Sequence, residues 1–208
     1  MLHTRYYQDY GLAIEGLVRH HKVDPLEYNR LVDDALPLDE VLKPNLQLKA
    51  FLLDLDTQKV KPWLLTNAYV THARRVIKLL DLEECFEGVT YCDYAKMPFL
   101  CKPAKAMYEK AEHEAGVRSE DRASERVFFV GRLVLVCSIH VLIESADDSN
   151  INCTHAQEHG WTTIHLLEPG EKEAPPLTCK HRVGSLLALR KLFPDFFKST
   201  SSSPSHHR

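Results

Sequence analysis

Three short strings in this sequence carry groups able to handle a phosphate. Thr66-Asn67 closes the apolar run Lys61-Pro62-Trp63-Leu64-Leu65 and supplies a hydroxyl and amides for a phosphate oxygen. Lys102, held by Pro103 at the entry of a helix, supplies an ammonium. Asp147-Asp148, just ahead of another helix, pairs two carboxylates, the oxygen donors that suit a hard cation. In an open parallel sheet, ligands sit beyond the carboxyl ends of the strands, so groups placed there converge. Each string alone has a plainer reading. Thr66 is then a strand-end hydroxyl, Lys102 a surface lysine and Asp147-Asp148 a helix cap, because carboxylates stabilise helix N-termini. Their order and shared placement at strand ends favour one joint site.

The elements that must position these groups follow from hydrophobic periodicity. Residues 5–34 read as helix, with Tyr6, Tyr7, Tyr10, Ile14, Leu17 and Val18 at three- and four-residue spacing. Asp24-Pro25 caps a second helix running to about Asp34. Pro37 and Pro44 punctuate a connector, and Asn45 opens a helix carrying Leu46, Leu48, Phe51, Leu52 and Leu55. Strands are expected over 61–67, 86–91, 126–130 and 162–167, with helices over 70–80, 103–115 and 151–159. Strands alternating with helices imply an α/β fold, a Rossmann-like parallel sheet. One amphipathic helix is expected over 184–193, and the Ser-rich stretch 198–208 is expected to be disordered.

Composition bounds the function. A chain of 208 residues, 44% hydrophobic and 26% charged, suits one medium domain or a core with a small accessory domain. The net charge of −3 gives no global attraction to nucleic acid or an anionic membrane. Arg74-Arg75 with Lys78 reads as an exposed helix face, since no aromatic residues interleave it. The longest apolar stretch, Val127 to Ile143, is interrupted by Arg132 and His140 and falls short of the ~20 residues of a membrane helix. Six cysteines without a CxxC pair, and a start without a signal peptide, predict reduced thiols in a cytoplasmic or nuclear protein. Cys153 with His155 and His159 has a spacing that can bind zinc, but no clear fourth ligand accompanies it. His20-His21 and His206-His207 read as solvated.

A hydroxyl, a lysine and a carboxylate pair in that order resemble the second, third and fourth motifs of the haloacid dehalogenase superfamily. The strings Tyr7-Gln8-Asp9-Tyr10-Gly11-Leu12-Ala13, Glu27-Tyr28-Asn29-Arg30-Leu31-Val32-Asp33-Asp34, Leu64-Leu65-Thr66-Asn67-Ala68, Gly88-Val89-Thr90-Tyr91-Cys92-Asp93-Tyr94, Cys101-Lys102-Pro103 and Asp147-Asp148-Ser149 are similar to those of the fungal pyrimidine 5′-nucleotidases. The resemblance implies a magnesium-dependent phosphatase acting on a small phosphomonoester, a pyrimidine nucleoside 5′-monophosphate. It implies that Thr66 binds the phosphoryl group and Asn67 and Ala68 shape the phosphate loop. Lys102 would neutralise the phosphoryl group and orient the nucleophile. Asp148 would hold Mg2+, with Asp147 a second ligand or an outer partner. Residues 1–45 would form a helical cap presenting Tyr10, Glu27, Asn29 and Arg30 to the substrate, and 46–197 the core. The oligomeric state is left open.

Two departures stand out. The superfamily's first motif, a strand ending in Asp-x-Asp that supplies the nucleophile and the general acid and base, should precede the cap, and only Met1 to Thr4 do so. Leu52-Leu53-Asp54-Leu55-Asp56-Thr57 has the spacing but follows the cap, and its leucines fit the helix leading to Trp63. Asp54 and Asp56 are then expected on a solvated helix face. The second departure is 131–146, an apolar insert between Val130 and Asp147. The sequence predicts that it is translated intron and that the absent first strand reflects the same faulty gene model. A genuine extra strand or hairpin is the alternative. The chain is accordingly expected to be poorly soluble and without phosphatase activity. Two other readings stay open: a non-catalytic binder of phosphate or nucleotide, and an incomplete fragment.

Overall fold

Trp63, Leu64 and Leu65 drive the first strand. Flanked by Pro62 and ending in polar residues, they bury on both faces, as a strand inside a parallel sheet must. This strand, β1 (Trp63–Thr66), pairs in parallel with β2 (Gly88–Tyr91) in the register Trp63↔Gly88 to Thr66↔Tyr91. Gly88 is required there, because a Cβ would lie 2.2 Å from the Trp63 ring. The Trp63 indole donates to Thr90 Oγ1 at 3.0 Å, and that hydroxyl donates to Glu114 at 2.6 Å.

The computed structural model describes residues 2–118, 127–131, 148–167 and 179–199. Ahead of β1 come α1 (Leu2–Tyr10), α2 (Ala13–His21), α3 (Pro25–Tyr28), α4 (Leu38–Val41) and α5 (Leu46–Leu53). The chain continues from α3 into a π-helical turn, Asn29–Asp33. The capping signals act as expected: Asp24 accepts from Glu27 N at 2.7 Å, and Asn45 from Leu48 N at 3.0 Å. The helix expected over 5–34 is instead broken at Gly11, whose φ of +75° is a left-handed conformation that ends α1.

After β1 follow α6 (Val70–Leu79), then β2, α7 (Lys105–Ala115), β3 (Phe128–Gly131), α8 (Asp148–Glu158), β4 (Thr162–Leu166), β5 (His181–Val183) and α9 (Leu189–Leu192). β3, β4 and β5 form a second parallel sheet in that order. β5 escapes sequence reading because it is three residues long and two of them, His181 and Arg182, are polar. The amphipathic helix expected over 184–193 is a 3-10 turn, Leu186–Ala188, followed by the short α9. The insert beyond Gly131, Asp147, His206-His207 and the Ser-rich end from Thr200 lie outside the described residues.

Among the described residues, no strand of the first sheet is hydrogen-bonded to a strand of the second. Packing joins them instead. One core contains Leu64 and Leu65 of β1 with Ile164 of β4, Val127, Trp161 and Val183. α7 bridges the two sides: Glu112 accepts from the Trp161 indole at 2.7 Å, and the Tyr108 hydroxyl donates to the Asn152 carbonyl at 3.0 Å. A strap from the C-terminal segment closes over the end of α5, with a Leu55–Phe197 bridge and Lys198 N donating to the Asp54 carbonyl at 2.9 Å.

That strap corrects the expectation for Asp54 and Asp56. α5 ends at Leu53, because the chain turns to bury Leu55 completely. Asp54 is the C-terminal cap residue and pairs with Arg190, while Asp56 pairs with Lys59 at 3.0 Å and accepts from Gln58 N. Neither lies on a helix face or a strand end.

Candidate active site

The carboxyl end of β1 delivers Thr66 into a buried loop, Thr66 to Tyr69, that leads into α6. Thr66 Oγ1 accepts from Ala68 N at 3.1 Å, which folds the loop back on itself. A hydroxyl that accepts in this way keeps its proton to donate. Tyr69, at the N-cap of α6, makes no side-chain capping hydrogen bond to the first-turn N–H groups of α6.

Asn67 supplies the decisive geometry. Its Oδ1 accepts from Lys102 N at 2.7 Å and its Nδ2 donates to the Lys102 carbonyl at 2.9 Å. Both ends of one carboxamide are thus committed to the backbone of one residue 35 positions away, and all the groups involved are buried. The clamp locks the Lys102 backbone to the end of β1 and buries the lysine to 2% exposure. Tyr94 braces the loop from below, its hydroxyl donating to the Asn67 carbonyl at 3.3 Å and its ring stacking on Tyr69 at 5.4 Å. Burial, first of all, pushes the Tyr94 phenol well above its ordinary range.

The N-terminal helices reach the same place through Gly11. A Cβ at Gly11 would come within 2.9 Å of Pro103 Cδ and 3.0 Å of the Lys102 carbonyl, so only glycine permits the approach. Beside it, Cys101 Sγ donates weakly to the Tyr10 carbonyl at 3.9 Å. A small second core, Ile14 with Cys92, Tyr94, Phe99 and Cys101, welds α2 to this side of the sheet. The five described cysteines are buried.

The four cap residues separate into different environments. The Tyr10 hydroxyl pairs with His20 Nε2 at 2.7 Å, and Tyr6 with His21 at 2.9 Å, so these exposed histidines are engaged rather than only solvated. Glu27 and Arg30 are exposed and face each other at 3.8 Å. Asn29 is buried, with Nδ2 donating to Asp34 at 2.7 Å and to Thr71 at 2.9 Å. Arg75 joins this contact instead of standing on an exposed face, donating to the Asp34 carbonyl at 2.6 Å and pairing with Asp39 at 3.2 Å.

Asp148 opens α8, which packs on β3 and β4, while Asp147 lies outside the described residues. A pair of carboxylates has the donor chemistry of a hard cation that takes its other ligands from phosphate and water. Among the described residues no group of three histidines, cysteines or acids gathers to hold a metal. His155 pairs with Glu158 on the surface at 3.1 Å. His159 is buried 3.3 Å from Glu112, stacked with Tyr108.

Residues 3–131 match the haloacid dehalogenase-like hydrolase family. Phosphate metabolism protein 8 of Saccharomyces cerevisiae is 40% identical over 184 residues, covering 84% of this chain and 51% of that protein. The chain therefore spans about half the length of this curated relative. A crystal structure of a dehalogenase with an intermediate complex superposes with a TM-score of 0.55 at 19% identity, covering 96% of this chain and 92% of that one. At that identity the likeness speaks for the fold alone. Among the described residues, no helix is long and apolar enough to cross a membrane.

Proposed function

The chain belongs to the haloacid dehalogenase-like hydrolases, and from that premise we propose that its β1 loop and Lys102 form the phosphate pocket of a magnesium-dependent nucleoside 5′-monophosphate phosphatase. The observation that carries this reading is the Asn67–Lys102 clamp, which ties the backbone of a buried lysine to the residue that follows the strand-end Thr66. Thr66 donates its hydroxyl proton to a phosphoryl oxygen. The N–H groups at the start of α6 add dipole stabilisation of the anion. The Lys102 ammonium neutralises the charge that phosphoryl transfer concentrates on oxygen. Asn67 fixes where that ammonium stands and is a positioning residue. Asp147 and Asp148 would hold the magnesium ion, which supplies further charge neutralisation when bound. Residues 1–45 act as a cap, and the name of the yeast relative is consistent with a phosphate ester as substrate.

These 208 residues hold binding groups without a nucleophile. Their only Asp-x-Asp is Asp54-Leu55-Asp56, and its two carboxylates are occupied by Arg190 and Lys59. Among the described residues that precede β1 there is no strand to carry an Asp-x-Asp beside Thr66. The chain as given binds a phosphate ester and does not cleave it; a strand supplied by further sequence would complete the centre. Incubation with p-nitrophenyl phosphate and magnesium is expected to release no p-nitrophenol. Turnover that disappears in Lys102→Ala would overturn this part of the reading.

A further inference from the structure

The contact between the N-terminal helices and α6 leaves one acid without a hydrogen-bond or ion-pair partner among the described residues. Asn29 and Thr71 both donate to the Asp34 carboxylate, Thr71 at 2.9 Å, and Arg75 donates to its carbonyl. His72 Nδ1 donates to the Asp33 carbonyl at 3.2 Å. Thr71 and His72 lie in the first turn of α6, directly after the Thr66–Tyr69 loop, so these bonds hold Asp33 against the helix that this loop leads into. Asp33 also closes the π-helical turn Asn29–Asp33, a local departure from α geometry that recurs at functional sites.

Asp34 is consumed by this latch, but Asp33 is not. Among the described residues its half-buried carboxylate has no hydrogen-bond donor and no ion-pair partner. Burial lifts its carboxyl above the ordinary range, with His72 drawing it back and Asp34 pushing it further. Its charge is felt by the phenols of Tyr28 and Tyr94. Tyr94 is the residue that holds the Asn67 carbonyl and stacks on Tyr69. An acceptor left without donors in such a place costs stability and contributes to no contact that holds the fold. Its chemistry fits a ligand that brings hydroxyl donors on one side and a flat ring on the other.

We propose that Asp33 is a specificity-determining residue, accepting hydrogen bonds from the sugar hydroxyls of a nucleoside 5′-monophosphate whose base lies against the partly exposed Tyr69 ring. The inference rests on the phosphate pocket of the preceding reading. A carboxylate can only accept, so it favours a diol and repels a second anionic group.

Calorimetric titration of the 208-residue chain with magnesium present tests it, using uridine 5′-monophosphate, its 2′,3′-dideoxy counterpart and inorganic phosphate. Asp33→Asn and Asp33→Ser are both used, with thermal unfolding recorded for each. The expected result is a loss of about tenfold or more in affinity for uridine 5′-monophosphate in both variants, because hydrogen bonds to a charged group are the strong ones. Affinity for inorganic phosphate and for the dideoxy compound stays unchanged. Retained uridine 5′-monophosphate affinity, or an equal loss for the dideoxy compound, overturns the role of Asp33 and leaves the phosphate pocket standing. Failure of the wild-type chain to bind any of the three overturns the pocket itself, and the inference with it.

Discussion

The two sheets contribute to the candidate centre by different physical means. On the β1–β2 side, Thr66, Asn67 and Lys102 are brought together by short, buried hydrogen bonds and a loop folded on its own hydroxyl. On the β3–β4–β5 side, α8, which Asp148 opens, packs on β3 and β4. Between the sheets, among the described residues, there is apolar contact and the α7 bridge but no backbone ladder. Hydrogen bonds fix the phosphate side to a narrow geometry. Apolar packing, which is non-directional, brings the other side near without fixing a register. A catalytic centre needs both, and one half here is far better determined than the other.

The largest test of this contrast asks whether the shared core makes the halves one cooperative unit. Trp161→Ala should cost about 3–5 kcal/mol and Leu65→Ala about 2–5 kcal/mol, since both side chains are buried in the same core. Urea unfolding followed by circular dichroism should show each variant lowering the midpoint of one transition. Two transitions, each moved by only one of the variants, would mean that the sheets are separate units.

Next comes the clamp. Asn67→Ala leaves the Lys102 N–H and carbonyl buried without their partner, at about 1–3 kcal/mol for each unsatisfied group. The same variant should lose affinity for inorganic phosphate, because Lys102 is no longer held. Asn67→Asp should rescue stability only in part: it keeps the acceptor for Lys102 N and sets an oxygen against the Lys102 carbonyl. A smaller effect is expected at the junction with the N-terminal helices. Gly11→Ala should cost about 1–2 kcal/mol for the left-handed backbone, plus the displacement of Pro103, read as a lower unfolding midpoint.

The smallest effect concerns Asp33 and has a pH signature. An acid held above its ordinary range binds its proton more tightly folded than unfolded. It therefore takes stability away as pH rises from the ordinary carboxylate range through its raised pKa. Asp33→Asn should raise the unfolding midpoint at neutral pH and leave it unchanged at a pH below the ordinary range. The opposite order would mean that the carboxylate is stabilised by a partner.

Much of this was legible in the sequence where one short segment carried its own signal. The Trp63–Leu65 run announced a buried strand, Asp24-Pro25 and Asn45 announced helix starts, and Thr66 and Lys102 were visible as strand-end and helix-entry groups. What escaped reading depends on distant partners. Asn67 reads as a phosphate-loop amide until Lys102 is seen to occupy both ends of its carboxamide. Gly11 sits inside an unbroken helical periodicity, and only the approach of Pro103 explains the break. Asp54 and Asp56 fit a helix face locally, yet burial of Leu55 under Phe197 and the pairing with Arg190 end that helix. Asp33 and Asp34 are indistinguishable as a dipeptide, and the latch through Asn29, Thr71 and Arg75 separates their roles.

The central claim is a phosphate pocket without a nucleophile, and one measurement addresses both halves of it. Phosphorus NMR of uridine 5′-monophosphate mixed with the 208-residue chain and magnesium reports binding through the ester resonance and cleavage through an inorganic phosphate line. The expected result is a shifted or broadened ester resonance that reverts in Lys102→Ala, with no inorganic phosphate appearing over hours. An ester resonance untouched by the protein, or a growing inorganic phosphate line that depends on Lys102, would contradict it.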